Sequence, residues 1–408
     1  MIALNNTNYD VIIVGAGASG LAAAISAKRN NKNLKIAVLE SLSKAGKKIL
    51  VTGNGRCNLT NTNVNKDFYH GSFDVIPLLN RFSAQKLTDF FSSLGLVCAV
   101  ESNGLVYPHC RQASAVLDVL LMETKRLNIE IICDCKAELI RKKSEIFMIK
   151  SSKGEYTAKK VVMSCGGKAF PTAGGTGLGL DVLKNLGHRI TPLSPALCPI
   201  QVKSEHIKSL KGIRAKAEVT LYDGSKAVKA ENGEVQFTDN ALSGICIFNL
   251  ATLLPKIKNP VISVNLARDY SYSELLNLLY ERKRLFSNEL LEEFFTGLFH
   301  KKIGIALLKS VTDKPLTEIS KRLSERELKS LANIIQKWKF ECKQCNDFSK
   351  AQVMLGGVSG NEVSSNTFES KIVKNLYVCG EALDVCGDCG GFNLHFAFAS
   401  GIITGENL

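Results

Sequence analysis

Residues 11–20 read Val-Ile-Ile-Val-Gly-Ala-Gly-Ala-Ser-Gly, an apolar, β-branched run that breaks into glycines at positions 15, 17 and 20. This order predicts a buried strand, a tight turn and a helix, which together open a dinucleotide-binding βαβ unit. Gly15 permits the turn, Gly17 lets the backbone approach a pyrophosphate, and Gly20 lets the helix pack closely on the strand. The pattern therefore predicts a phosphate-binding turn near the N-terminus.

The rest of the unit follows along the chain. We expect the helix to cover residues 21–29, with Ala18 and Ser19 at its start presenting N–H groups to the phosphates. The second strand is predicted at residues 34–40 and ends at Glu40, twenty residues after the last glycine. A carboxylate at this place accepts hydrogen bonds from ribose hydroxyls and disfavours a 2′-phosphate, so the site is expected to take FAD or NAD rather than NADP.

Composition narrows the class of protein. A chain of 408 residues with 45% hydrophobic residues can bury the cores of two or three domains. No apolar stretch approaches the length of a membrane span, so we expect no membrane partner. Thirteen cysteines, an odd number, without a secretory leader indicate reduced thiols and a cytoplasmic location.

The net charge of +14 raises the question of nucleic acid. Lys and Arg are dispersed, however, with only modest clusters such as residues 141–143 and 281–284. Aromatic residues make up 7% of the chain and are not interleaved with basic residues as in a single-strand platform. A small-molecule substrate is therefore favoured, and a nucleic-acid partner is disfavoured but kept as an alternative. The oligomeric state cannot be predicted.

Strand-to-glycine junctions occur at both ends of the chain. In the middle, short segments such as residues 217–222, followed by an Asp-Gly turn at 223–224, alternate like an antiparallel sheet, and the apolar spacing then becomes helical. We expect the first part of the nucleotide-binding domain at residues 1–200 and its C-terminal part at 351–408. Between them, an inserted substrate or cap domain is expected at 201–350, β-rich over 201–270 and helical over 271–345.

Three further segments have compositions suited to chemistry. Residues 46–58 form a glycine- and amide-rich loop that can lay backbone amides, Asn54 and Asn58 against a flat heterocycle, although a flexible basic loop is the alternative. Residues 174–181 resemble an anion-binding helix start but do not follow a strand closely. Residues 379–395 lead into a small-residue helix whose N-terminus could stabilise negative charge on a reduced flavin.

Several of these segments, taken together and in order, resemble one family. They are Gly-Asn-Gly-Arg-Cys-Asn at 53–58, Phe-Thr at 237–238 with Leu-Ser-Gly at 242–244, Gly-Gly at 356–357, and Gly-Glu at 380–381 through Gly-Gly-Phe-Asn at 390–393. The chain resembles the BaiN/RdsA-like NAD(P)/FAD-dependent oxidoreductases, also labelled aminoacetone-oxidase-like flavoproteins, over nearly its whole length. Phe392, His395 and Cys386 depart from the tyrosine, glutamine and polar residue frequent in that family.

The resemblance implies an α/β fold, in which a discontinuous Rossmann-type FAD-binding domain carries an inserted β-barrel-like and helical domain. It also implies FAD as cofactor, with NAD(P)H as a possible transient electron donor. The motifs and the resemblance together give one predicted cofactor-binding set. Its members are Gly15, Gly17, Ala18, Ser19, Gly20, Glu40, Lys48, Gly53, Asn54, Gly55, Arg56, Cys57, Asn58, Gly166, Gly380, Glu381, Gly391, Phe392, Asn393 and Leu394.

The favoured activity is hydride transfer from NAD(P)H through FAD N5 to an unsaturated or carbonyl small molecule. Alternatives are an FAD-dependent oxidase of a small amine or hydroxy compound that uses O2 and a tRNA-binding flavoprotein. His395 and Tyr107 are the candidate proton donors, although a histidine in an apolar stretch is more often packed and hydrogen-bonded.

Two Cys-x-x-Cys pairs, 342/345 and 386/389, allow either a redox dithiol or a zinc site. The interval between the pairs is too long for a compact zinc ribbon. Incidental cysteines are the favoured interpretation, and no metal site is predicted.

Overall fold

The computed structural model describes residues 7–101, 103–344 and 346–408. Cys345 of the first cysteine pair lies outside these ranges. Contacts divide the chain into two compact units: the chain up to Ala196 together with Asp347–Leu408 forms the first, and Leu197–Asn346 forms the second.

Strands are numbered in chain order. In the first unit they are β1 (Thr7–Val14), β2 (Ile36–Leu39), β3 (Thr60–Asn61), β4 (Tyr69–Gly71), β5 (Cys98–Val100), β6 (Leu105–Pro108), β7 (Glu130–Ile132), β8 (Ala137–Lys143), β9 (Ile146–Ser151), β10 (Gly154–Met163), β11 (Ser194–Ala196), β18 (Val353–Leu355), β19 (Leu376–Val378) and β20 (Val385–Gly387). In the second unit they are β12 (Ile200–Lys203), β13 (Arg214–Asp223), β14 (Lys226–Phe237), β15 (Ala241–Ser243), β16 (Pro260–Asn265) and β17 (Trp338–Cys342).

Helices follow the same numbering. In the first unit they are α1 (Ala18–Asn30), α2 (Lys47–Val51), α3 (Ile76–Arg81), α4 (Ala84–Ser93), α5 (Ala113–Arg126), α6 (Leu178–Asn185) and α11 (Phe392–Glu406). In the second unit they are α7 (Ile245–Ala251), α8 (Tyr272–Leu285), α9 (Lys301–Lys309) and α10 (Glu325–Gln336).

The main sheet of the first unit has a parallel core in the order β7, β2, β1, β10, with β19 pairing the end of β10. The first half of β10 instead pairs antiparallel with β9, which pairs with β8. Val11, Ile12 and Ile13 of β1 are fully buried, as expected for a central strand covered on both faces. The carboxyl ends of these parallel strands form the edge at which α/β folds bind ligands.

Helices α1 and α11, from the two ends of the chain, pack directly against each other. An added Cβ on Gly401 of α11 would lie 2.2 Å from the Ser19 carbonyl oxygen of α1, and one on Gly405 would lie 2.5 Å from that of Ala23. Ser26 also donates a 2.8 Å hydrogen bond to the Ile402 carbonyl. Because only glycine permits this approach, the small residues near the C-terminus fix the last helix directly against the first one.

The second unit contains a closed antiparallel barrel in the order β12, β15, β14, β13, β16, β17. The predicted alternation at residues 217–222 lies in β13, and the Asp-Gly turn at 223–224 joins it to β14. Phe237, Trp338 and Phe340 form an aromatic cluster, with ring centroids 5.1 to 6.4 Å apart. This cluster fills the barrel with large apolar side chains.

Capping boxes begin two helices of this unit, at Ser271 with Glu274 for α8 and at Ser324 with Glu327 for α10. The structure differs from the sequence interpretation at the end of the predicted helical range, 271–345. Residues 338–342 form β17, whose alternating burial completes the barrel. The helical spacing of the preceding residues hid this short strand.

The predicted fold class is confirmed. The first unit is a discontinuous Rossmann-type domain with a mixed sheet, and the segment between its two parts folds as a barrel with helices.

Candidate functional site

The glycines after β1 differ in what surrounds them. Gly15 has φ +103°, and an added Cβ would lie 2.5 Å from the Ser164 carbonyl oxygen. A Cβ on Gly20 would lie 1.9 Å from the Gly15 carbonyl oxygen, whereas a Cβ on Gly17 would meet nothing within 4 Å. Gly15 and Gly20 are therefore required by packing, and Gly17 faces open space at the start of α1.

Glu40 lies just beyond β2 and is buried, with 8% of its surface exposed. Its carboxylate accepts hydrogen bonds from the backbone N–H of Ala16 at 2.9 Å and from that of Leu42 at 2.8 Å. A carboxylate has about four lone-pair positions, so capacity remains for a further donor. The backbone thus holds this acid in a fixed orientation beside the glycine turn.

A cleft, here called the nucleotide cleft, lies at the carboxyl ends of β1, β2 and β10. Its lining includes six predicted residues together with a second glycine-rich loop that the sequence interpretation had set apart. The predicted residues are Gly15, Gly17, Glu40, Lys48, Gly166 and Glu381, and the added ones include Cys165, Gly167, Gly174, Gly175, Thr176 and Gly179. The glycine density of residues 174–179 was the signal that could have assigned this loop to the same site.

A second glycine of the cleft, Gly166, faces open space as Gly17 does. An added Cβ on Gly166, which has φ +66°, would also meet nothing within 4 Å. The two glycines follow β1 and β10, so bare backbone lines the cleft on neighbouring strands. This is the cradle expected where a chain must approach a phosphate group closely.

Lys48 and Glu381 connect the two ends of the chain within the cleft. The Lys48 ammonium lies 2.5 Å from a Glu381 carboxylate oxygen, and the other carboxylate oxygen accepts the Met354 N–H at 3.1 Å. Gly380 precedes this acid, and an added Cβ there would lie 2.4 Å from the Ser19 hydroxyl oxygen. The predicted residues 19, 48, 380 and 381 are therefore brought together.

The other predicted residues form a second group, here called the loop–helix junction, made of residues 53–58 and the start of α11. Asn58 Oδ1 lies 2.9 Å from the position of a Cβ added to Gly391. Asn393 Oδ1 accepts the Gly387 N–H at 2.8 Å, and its amide donates to the Gly387 carbonyl at 2.6 Å. Two amides from distant segments are thereby fixed in place.

Helix α11 begins at the junction. Its N-cap, Gly391, has φ +95° and provides no side-chain cap. Phe392 stacks on Phe68 with ring centroids 4.1 Å apart, while Leu394 is half-buried in the first turn. Aromatic packing therefore fixes the first turn of α11, where the positive end of the helix dipole lies.

The turn at residues 53–58 adopts backbone conformations that side chains disfavour. Gly53, Asn54 and Gly55 have φ of +55°, +55° and +81°, and Cys57 has φ +57°. Residues 53–56 are exposed, whereas Cys57 is buried, and burial raises the pKa of its thiol to about 12. Non-glycine residues in this region are strained, and such strain is concentrated at ligand-binding sites.

His395 has both ring nitrogens engaged in the interior. Its Nδ1 lies 2.8 Å from the Thr60 hydroxyl, and its Nε2 lies 3.1 Å from the Phe82 carbonyl oxygen. Since a carbonyl only accepts, Nε2 carries the proton and Nδ1 accepts from Thr60. Burial lowers the pKa of His395 to about 4. This geometry favours the packed, hydrogen-bonded alternative over the predicted proton donor.

Tyr107 adjoins the exposed turn. A Cβ on Gly53 would lie 3.6 Å from its ring. The guanidinium carbons of Arg56 and Arg111 lie 5.1 and 4.9 Å from the ring centroid. Burial raises the pKa of Tyr107, so the phenol is neutral near pH 7.

The sequence interpretation missed a pairing beside the junction. His70 of β4 lies opposite Cys386 of β20, and its Nε2 lies 2.7 Å from the buried Asp388 carboxylate. The partners are separated by 318 residues. No local pattern could have predicted them.

Cysteine chemistry receives little support from these surroundings. Burial, followed by the charges of Glu381 and Asp388, raises the pKa of Cys386 well above its usual value, the opposite of an activated thiolate. Burial likewise raises the pKa of Cys342 to about 12. Within residues 7–101, 103–344 and 346–408, no group of three His, Cys, Asp or Glu side chains is arranged to hold a metal ion.

In the same described ranges, no helix combines the length and the apolar character needed to cross a membrane.

Known proteins match this chain over almost its whole length. Residues 9–407 match the family model described as HI0933-like protein Rossmann domain. A 3-dehydro-bile acid delta(4,6)-reductase from Clostridium scindens is 33% identical over 405 residues, 97% of each chain. A ribosomal RNA dihydrouridine synthase from Escherichia coli is 26% identical over 406 residues, 98% of each chain.

A solved structure shares the fold. An open-conformation flavocytochrome c3 fumarate reductase superposes with a TM-score of 0.50 at 14% identity, covering 98% of this chain and 78% of the other. The fold and the relatives together support an enzyme of the FAD-dependent oxidoreductase type. The resemblance seen in the sequence is thereby confirmed, and the chain belongs to the HI0933-like Rossmann family.

Proposed function

We propose that the protein is an FAD-dependent reductase that uses NAD(P)H to saturate a C=C bond conjugated to a carbonyl group. The observation that carries the proposal is the nucleotide cleft, where Gly17 and Gly166 leave open space beside the buried carboxylate of Glu40. A dinucleotide needs this combination of bare backbone for its pyrophosphate and an acid for its ribose.

The chain's residues fit the parts of FAD. Glu40 would accept from the adenosine ribose, and the N–H groups of Ala18 and Ser19 would face the pyrophosphate. Lys48 would add a positive charge beside the phosphates and is already held in the cleft by Glu381. Of the remaining predicted residues, those at 53–55, 57–58 and 391–394 would hold the ring system.

When bound, FAD supplies hydride transfer at N5. The start of α11 would stabilise negative charge at the edge of the ring, because the helix dipole and the unsatisfied N–H groups of the first turn both attract it. The doubly hydrogen-bonded amide of Asn393 and the buried amide of Asn58 fix the surrounding polar groups before any reactant arrives. Such preorganisation favours charge development without reorganisation.

Relatives guide the choice of acceptor. One is named for reducing 3-dehydro-bile acids and another for making dihydrouridine. In a 3-oxo compound with a neighbouring double bond and in uracil, a C=C bond is conjugated to a carbonyl, which makes it electrophilic toward hydride. This shared chemistry supports the proposed reaction class without fixing the substrate.

A second candidate is reduction of uracil within RNA. Two full-length relatives are named ribosomal RNA dihydrouridine synthases, and this chain carries a net charge of +14. Basic proteins attract the phosphate backbone, so binding would weaken steeply with salt. Salt-sensitive binding of an RNA, together with its conversion, would favour this candidate over a small enone.

The test begins with release and identification of the flavin from the purified protein, which we expect to be FAD. The protein is then titrated anaerobically with NADH and, separately, with NADPH. Bleaching of the flavin absorbance by either nucleotide, with slow recovery in air, is the result expected of a reductase. Failure of both nucleotides, with reduction by an amine or hydroxy donor and fast recovery in air, would identify an oxidase instead.

A further inference from the structure

Arg56 provides an exposed positive charge in the loop of the loop–helix junction. Arg56 is exposed and follows the strained turn at residues 53–55. In the part of the chain that the structure describes, its guanidinium forms no salt bridge, and its one hydrogen bond is a long 3.4 Å contact with the Gly53 carbonyl of its own turn. Its charge is therefore available to a ligand.

A second cation shares its aromatic neighbour. The guanidinium carbons of Arg56 and Arg111 lie 5.1 and 4.9 Å from the centroid of the Tyr107 ring. Both distances allow cation–π attraction, which holds the two side chains against one rigid, buried ring. Two like charges are thus kept close together although they repel each other.

Only one of the two charges is compensated locally. Arg111 pairs with Glu101, and Tyr107 stays neutral because burial raises its pKa. The group of four side chains therefore keeps one excess positive charge. Guanidinium groups present paired N–H donors that match the oxygens of a carboxylate or phosphate, so the cluster suits a single oxyanion.

The cluster is linked to the proposed flavin-binding residues by direct contacts. Tyr107 adjoins Gly53, and the neighbouring Val106 N–H donates to Asn58 Oδ1 at 3.3 Å. That same oxygen lies 2.9 Å from the position of a Cβ on Gly391, at the start of α11. An anion held by the arginines would therefore belong to a molecule positioned beside the junction.

Apolar surface accompanies the charge. Leu50 and Val51, at the end of α2, are 39% and 46% exposed. They directly precede the turn, and the Leu50 carbonyl oxygen lies 3.9 Å from the position of a Cβ on Gly55. The combination suits a ligand that joins an oxyanion to an apolar or aromatic body.

We propose that Arg56 and Arg111, supported by Tyr107, form an anion-binding subsite for the phosphate or carboxylate of a reactant. The inference rests on the proposed function for the identity of that reactant, which is either the nucleotide donor or an anionic acceptor. Arg56 then acts on reactant binding rather than as a ligand of the flavin, and Tyr107 acts through its ring rather than its hydroxyl.

The decisive variant is Arg56→Gln, with Arg81→Gln as the matched control. Arg81 lies in the same unit, is also exposed and pairs with Glu406, so its change removes the same charge at the end of α11 opposite to the junction. For Arg56→Gln we expect unchanged flavin content, unchanged kcat within about twofold, and a KM raised about tenfold for one reactant, as for loss of one charged hydrogen bond. A raised KM for NADPH with unchanged KM for the acceptor assigns a donor phosphate, and the reverse assigns the acceptor's anion.

Loss of flavin from Arg56→Gln would make Arg56 a cofactor ligand and overturn the inference, as would unchanged KM values for both reactants. A direct measurement separates this failure from failure of the proposed function. Calorimetric titration of the purified holoprotein with inorganic pyrophosphate is expected to show about tenfold weaker binding in Arg56→Gln than in Arg81→Gln. Equal binding by the two variants would overturn the subsite whatever reaction the enzyme catalyses.

Tyr107→Phe and Tyr107→Leu test the ring. The phenylalanine variant is expected to match the parent in kcat and KM because it keeps the aromatic face. The leucine variant should raise the same KM as Arg56→Gln because it removes the cation–π support. Loss of kcat in Tyr107→Phe at unchanged KM would assign the hydroxyl a proton-transfer role and overturn the supporting role of the ring.

Discussion

The nucleotide cleft and the loop–helix junction are built in opposite ways. In the cleft, backbone forms the walls: Gly17 and Gly166 face open space, and backbone N–H groups orient Glu40. At the junction, side chains from distant segments hold one another, as in the contact between Thr60 and His395 across 335 residues. Recognition by backbone leaves a local sequence motif. The pairing of side chains across distant segments leaves almost none, although the segments of the junction carry motifs of their own.

Substitutions at two glycines give the sharpest test of the backbone side of this comparison. Gly20→Ala places a Cβ 1.9 Å from a carbonyl oxygen and should destabilise the apoprotein by about 3 kcal/mol or more. Gly17→Ala meets nothing within 4 Å and should cost the apoprotein no more than about 1 kcal/mol as a helix N-cap change. Urea unfolding of both apoproteins measures the difference.

The same pair separates folding from binding. Gly17→Ala should weaken FAD binding although the apoprotein remains stable, because the added methyl group enters the space left for the pyrophosphate. Equal stability losses in the two variants, or full FAD affinity in Gly17→Ala, would break the distinction between packing glycines and a ligand-facing glycine.

At the junction, His395→Gln tests whether the buried ring is structural. Burial lowers the pKa of His395 to about 4, below the unfolded value of about 6.5. Between these values the unfolded chain binds a proton that the folded chain does not, so stability falls as the pH falls from about 6.5 to 4. The loss due to this residue is at most roughly 3 kcal/mol.

Glutamine can donate to the Phe82 carbonyl and accept from Thr60, but it does not titrate. The variant should therefore lose less stability than the parent between pH 6.5 and pH 4 and should keep its turnover. Unfolding curves at several pH values and a turnover assay measure both quantities. A large drop in turnover in a stable variant would restore His395 as a proton donor.

Glu40→Gln tests the acid of the cleft. The amide oxygen can keep only part of the hydrogen bonding to Ala16 and Leu42, and the negative charge is lost. We expect the Kd for FAD to rise roughly tenfold, the effect of losing a charged hydrogen bond to the ribose. Titration of apoprotein with FAD, followed by flavin fluorescence, measures it. An unchanged Kd would remove Glu40 from the binding site.

The smallest effect is expected from thiol alkylation. Cys110 is exposed and should react first, whereas burial raises the pKa of Cys379 to about 12 and suppresses its thiolate. Turnover should survive brief treatment at neutral pH. Rapid inactivation with modification of Cys386 would instead support dithiol chemistry at the junction.

The sequence interpretation succeeded where local patterns determine the fold. The apolar run and glycines at 11–20, the alternation in β13 and the Asp-Gly turn after it all lie where the structure has the matching elements. It did not predict β17, which fell within the expected helical range. This strand has five residues and gains its stability from barrel neighbours rather than from its own pattern. Tertiary context decides such short strands.

The site shows the same limit. The cleft residues that follow a motif were predicted as a group, but the loop at 174–179 was set apart because no strand directly precedes it. The pairs Lys48 with Glu381 and His70 with Asp388 join segments more than 300 residues apart. These pairs depend on tertiary packing, which a single sequence does not reveal.

The acceptor half-reaction tests the central claim most directly. Protein reduced anaerobically with NAD(P)H is mixed with an α,β-unsaturated ketone and, in parallel, with the saturated ketone of the same skeleton. The proposed reductase should recover its oxidised flavin spectrum with the unsaturated compound alone and yield the saturated product. The same mixing is repeated with uracil as the conjugated acceptor. If the oxidised flavin spectrum returned only on admission of air, and neither the unsaturated ketone nor uracil restored it, the account would be contradicted.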